Sequence, residues 1–104
     1  MRELHHFGIP TSVKQNKENY MEGAKLYVTD VASSPNKIEF LRFEKGSPLP
    51  KLLQTTAHIA YKVKDLKKAM AGKEVLMQPF SPAPGLQVAF VVEEGIPIEL
   101  MQEG

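Results

Sequence analysis

Two histidines and two glutamates recur at matching places in this sequence. His6 opens HFGIPT (6–11), and His58 opens HIAYKV (58–63). Glu39 lies in KIEFLRFEKG (37–46), and Glu99 in PIELMQEG (97–104). Each half of the chain therefore begins with a His segment and ends with an Ile-Glu segment. An internal repeat of this kind constrains architecture more than any single segment does. Side chains on a strand alternate faces with period two, so equivalent positions in two related halves aim at equivalent places. Two imidazoles and two carboxylates converging across a curved sheet suit a divalent ion: Ni, Zn, Co, Mn or Fe. One such His is more often a hydrogen-bonded structural residue, and one such Glu more often a solvated one. Four at repeat-equivalent positions favour a site.

Neighbours of these four complete the candidate set. His5 faces the other way from His6 by strand alternation, and reads as a surface or supporting group. Lys62 shares a face with His58. It is the candidate for orienting an anionic substrate, unless its stem carries the ammonium out to solvent. Arg42 and Glu44 lie opposite Glu39 and read as structural.

The elements that must position these groups are short. Strands are predicted over 3–9, 25–31, 37–44, 56–63, 74–78, 86–93 and 96–102, from β-branched and aromatic content and turn signals. A short helix is possible near 17–22. Asp65 caps a second helix that buries Leu66, Ala69 and Met70, and Gly72 stops it. ASSPN (32–36) reads as a turn, KGSPLPK (45–51) as a linker and PFSPAPG (79–85) as a Pro-rich loop. Pro97 points to an edge position or a bulge. The second half reads β-α-β-β-β, and the first is a reduced copy of it.

With 104 residues the chain supports a single domain, 1–104: a reduced first module (1–47), a linker (48–54) and a second module (55–104). Thirteen basic and 12 acidic side chains give a net charge of +1, which supplies no reason for nucleic acid or an anionic membrane as partner. There is no cysteine, so any metal is held by nitrogen and oxygen. The longest aliphatic or aromatic run, VAFVV (88–92), is far short of a bilayer span. The N-terminus has no apolar signal region, and a cytoplasmic location is the expectation.

The second half, from HIAYKVKDLKKAM through VLMQPFSPAPGLQVAFVVEEGIPIELMQ, resembles the glyoxalase I / bleomycin-resistance / dioxygenase family, the vicinal oxygen chelate superfamily. The first half matches through HHFGI and KIEFLRFE. The resemblance implies an α+β fold of two βαβββ-type modules, the first lacking most of its helix, in a curved, U-shaped mixed sheet. It implies His6, Glu39, His58 and Glu99 as metal ligands, the same four that the repeat selects. The set His, Glu, His, Glu looks like the glyoxalase branch. Extradiol dioxygenases have no carboxylate ligand where Glu39 sits, bleomycin-binding members lack ligands, and methylmalonyl-CoA epimerase-like members carry Gln there. The implied activity is that of a lyase or isomerase acting on a small substrate with two adjacent oxygens. A metal-stabilised enediolate would form, with Glu39 or Glu99 as acid/base. The alternatives are a non-catalytic binding protein for an antibiotic or metabolite, and a purely structural role.

The spacing of the two copies differs: 33 residues separate His6 from Glu39, and 41 separate His58 from Glu99. The difference is most simply the first helix and perhaps a strand. An uncovered sheet face follows, with Phe40 expected at the surface and an isologous homodimer expected to cover it.

Overall fold

VAFVV is buried on both sides because two layers meet there. In the computed structural model, which describes residues 2–104, it lies within strand β7 (Leu86–Glu93). Ala89 and Val91 face one apolar layer, with Leu66, Ile98 and Leu100. Val88 and Phe90 face the other, with Leu53. Met1, where the predicted first module begins, lies outside the described residues.

Among the described residues, eight strands form one sheet. In chain order they are β1 (Glu3–Pro10), β2 (Asn19–Met21), β3 (Leu26–Val28), β4 (Ile38–Phe43), β5 (His58–Lys62), β6 (Glu74–Ala83), β7 and β8 (Ile96–Glu103). Two helices, α1 (Lys51–Thr55) and α2 (Leu66–Met70), complete the α+β fold. The spatial order is β2-β3-β4-β1-β5-β8-β7-β6. Read outward from the antiparallel β1–β5 seam, each half repeats one plan. Its first and last strands pair in parallel, and the other two continue antiparallel to the edge. This is the expected paired-module sheet.

The first module has kept all four strands, so the shorter spacing comes from the helix and from cutting β2 and β3 to three residues each. Where the possible helix near 17–22 is placed, the chain forms β2 and then a 3-10 turn at Glu22–Ala24. Arg42 pairs with Glu18 through two hydrogen bonds of 2.8 and 2.7 Å, tying the segment before β2 to β4. Phe40 is half-buried rather than exposed. The large apolar side chains at the surface include instead Leu4, Tyr20, Met21, Val75 and Phe80.

Prolines mislead at three places. Pro50 is the N-cap of α1, so a helix stands within the segment read as a linker, and it buries Leu53. Pro79 and Pro82 lie inside β6, which continues through the predicted loop. β6 is an edge strand with register shifts between Met77, Phe80 and Ala83, and an edge tolerates missing N–H donors. Pro97 lies in an interior strand, β8, and is fully buried. It pairs with Val92 of β7, while the β5 ladder starts only at Ile98, so β5 asks nothing of its nitrogen.

Asp65 caps α2 as expected, its carboxylate accepting from the Lys68 N–H at 3.1 Å. Leu66 carries the helix onto β7 and β8. The β7–β8 hairpin turns on Glu94 and Gly95, with φ of 52° and 78°, the two left-handed positions such a tight turn requires. Among the described residues, no helix is long and apolar enough to cross a membrane.

Candidate metal centre

The repeat holds at the level of single residues. Gly8, two after His6, is the register partner of Glu39 in the parallel β1–β4 pair. Ala60, two after His58, is the register partner of Glu99 in the parallel β5–β8 pair. Across the seam the partners cross over: His6 lies opposite Ala60, and His58 lies opposite Gly8. Each histidine thus meets a small residue of the other half. At Gly8 the fit is strict, because a Cβ there would lie 2.0 Å from His58 Cε1. The pattern His-x-small, present in both HFG and HIA, is a signal in the sequence for this packing.

The four side chains meet at one point. His6 and His58 are buried, at 4% and 2% exposure, with ring centroids 5.7 Å apart. His6 Nε2 lies 3.5 Å from Glu39 Oε1 and 3.4 Å from Glu99 Oε1. His58 Nε2 lies 3.1 Å from Glu99 Oε1. His6, Glu39 and His58 offer ligand atoms all within 4.8 Å of one another. Glu99 stands outside that triad but against both imidazoles.

The donor set fits a divalent cation. Both Nε2 atoms are buried without a hydrogen-bond partner, although carboxylate oxygens face them. An unsatisfied buried nitrogen is costly unless something else takes its lone pair. Donors about 2.1 Å from a common ion would be about 3.0–3.4 Å apart; the two imidazole contacts to Glu99, at 3.4 and 3.1 Å, lie in that range, and His6 to Glu39, at 3.5 Å, lies just beyond it. Nitrogen and oxygen donors without sulfur suit Ni, Zn, Co, Mn or Fe(II).

Without an ion the cluster compensates its own charge. Burial alone would lower the His6 imidazolium, but Glu39 and Glu99 outweigh it and raise its pKa to about 9. Burial would raise the Glu99 carboxyl, but His58 and His6 outweigh it and hold it down at about 2.

His5 joins the cleft, contrary to strand alternation. The β1–β5 register shifts between Leu4 and His6, so His5 is the extra residue of a bulge and is not forced to the opposite face. His5 Nδ1 lies 2.7 Å from His6 Nδ1. Burial, His6 and Lys62 lower its pKa, which keeps it neutral and able to accept the His6 Nδ1–H. That bond leaves His6 Nε2 aimed at the centre, as supporting groups commonly do for metal-binding imidazoles. Phe90 closes the other side, its ring edge-on to His58 at 5.4 Å.

The centre lies at the base of a cleft of about 710 Å³. Its walls are mostly apolar, with Leu26, Val28 and Leu41 from the first half and Leu86, Val88 and Met101 from the second. Lys62 is not part of the lining. It pairs with Glu103 at 3.1 Å and borders a different cavity.

No protein-family model matches the chain, and no curated protein sequence does. Among solved structures, the hypothetical protein BH1468 from Bacillus halodurans C-125 is similar, with a TM-score of 0.70 and 20% identity over 99% of this chain and 95% of that one. Methylmalonyl-CoA epimerase from Mycobacterium tuberculosis is also similar, with a TM-score of 0.59 and 14% identity over 98% of this chain and 88% of that one. With this curled sheet, those likenesses establish the architecture. The chain shares the fold of these two proteins, an α+β fold built on one curled, mixed sheet.

Proposed function

We propose that this protein is a metal-dependent isomerase or lyase acting on a small substrate with two adjacent oxygens. The observation that carries the reading is the convergence of His6, His58, Glu39 and Glu99 at the base of an apolar-walled cleft. The structural likeness to an epimerase agrees with proton transfer at carbon as the reaction type. His6, His58 and the two glutamates would hold the ion. A divalent ion bound there supplies Lewis acidity for the charge that develops on the adjacent oxygens. The apolar walls exclude water and strengthen electrostatics at the base. Glu39 or Glu99 takes a proton from the carbon beside the carbonyl and returns it to the neighbouring carbon or to the opposite face. Glu39, with a side chain 22% exposed against 13% for Glu99, is the freer of the two to move.

Elemental analysis of the purified protein should show near-stoichiometric metal that is lost in a His58→Ala, Glu99→Ala double variant. Glu39→Gln should keep the fold and abolish turnover if Glu39 is the base. Turnover surviving in both Glu39→Gln and Glu99→Gln would defeat the acid/base assignment. If incubation with Ni, Zn, Co or Mn gives no metal uptake, the cleft is that of a binding protein instead.

A further inference from the structure

The charge on the cleft limits what can enter it. Among the described residues, no lysine or arginine lines it, whereas three carboxylates do: Asp30, Glu39 and Glu99. Asp30 is held in place, accepting from the Ala32 N–H at 3.0 Å. With a divalent ion at the base, three carboxylates still leave the cleft with about one net negative charge. Basic groups gather elsewhere. Arg2, Lys64, Lys68 and Lys73 border a separate cavity. A substrate with an anionic tail would therefore meet no cation along the walls to repay the loss of its hydration.

The walls offer apolar contact instead. Met21 on β2 and Phe80 on β6 stand on the two edge strands, and both line the cleft. Each is 39% exposed, so apolar surface is already available there for a ligand. Methionine adapts to varied apolar shapes at low cost.

We infer that the substrate, on the reading proposed above, is an uncharged molecule. Its two adjacent oxygens sit on an apolar alkyl or aryl body, as in an α-hydroxyketone or 1,2-diketone. Acyl-CoA thioesters, phosphate esters and 2-hydroxy acids fall outside this class.

The test is calorimetric titration of metal-loaded protein with 1-hydroxy-2-butanone, 1-hydroxy-2-hexanone and 1-hydroxy-2-octanone. The 2-hydroxy acids of equal length and methylmalonyl-CoA are titrated alongside. Affinity for the ketones should rise roughly fourfold for each added methylene. Each ketone should bind at least tenfold more tightly than the matched acid. Phe80→Ser and Met21→Ser should flatten the dependence on chain length and leave metal content unchanged. Tighter binding of the acids or of methylmalonyl-CoA, no dependence on chain length, or no binding of any ketone would each overturn the inference. Metal content is measured on the same samples. A protein that takes up no metal fails the proposed function, whereas a metal-loaded protein that prefers anions fails only the substrate class.

Discussion

At the scale of single residues, Gly8 decides where His58 can stand. Any side chain there collides with the imidazole, and overpacking of this kind costs about 1–3 kcal/mol. Gly8→Ala should lower the melting temperature and weaken metal binding at least tenfold by pushing His58 off the centre. Unchanged metal affinity would show that His58 is not held by this contact. The cluster also sets a pH dependence for the metal-free protein. The raised His6 pKa stabilises the fold fully below 6.5, and the gain is lost as pH rises through about 9. The depressed Glu99 pKa stabilises it above 4.5, and that gain is lost as pH falls towards about 2. Thermal melts of metal-free protein should therefore peak between about pH 4.5 and 6.5. A melting temperature still rising from pH 6.5 to 9 would contradict this. Because His6 is protonated at neutral pH, metal uptake at pH 7 should release about one proton, visible as a buffer-dependent heat.

At the scale of elements, the two helices do different work. Leu66 on α2 packs among Ala89, Val91, Ile98 and Leu100, away from the cleft. Leu53 on α1 is just as buried, but it lines the cleft. Each Leu→Ala change should cost about 2–5 kcal/mol of stability. Leu66→Ala should spare ligand and metal affinity, and Leu53→Ala should not. Equal effects on affinity, read by titration beside denaturant melts, would refute this division. α2 was legible in the sequence because Asp65 and the Leu66, Ala69, Met70 stripe announce it. α1 was not, because five residues between prolines and the next strand give no measurable period. β6 runs further than its sequence announces, because Pro79 and Pro82 look like breakers until the strand is known to lie at an edge. The side taken by His5 was hidden for a similar reason: a bulge is a property of two paired strands, and neither strand alone encodes it.

At the scale of the whole molecule, the centre belongs to neither half. His6 and Glu39 come from one side of the β1–β5 seam, and His58 and Glu99 from the other. This sharing is legible in the sequence, because a repeat implies a symmetry axis and an axis implies a shared point. The charge of the cleft was not readable, since Lys62 looks equivalent to a site residue until Glu103 is seen to hold it. A chain whose halves have not yet met offers an ion two separate His–Glu pairs, each a weak two-point grip. Only docking of the halves presents four donors together. An ion bound there would therefore report that the two halves have docked.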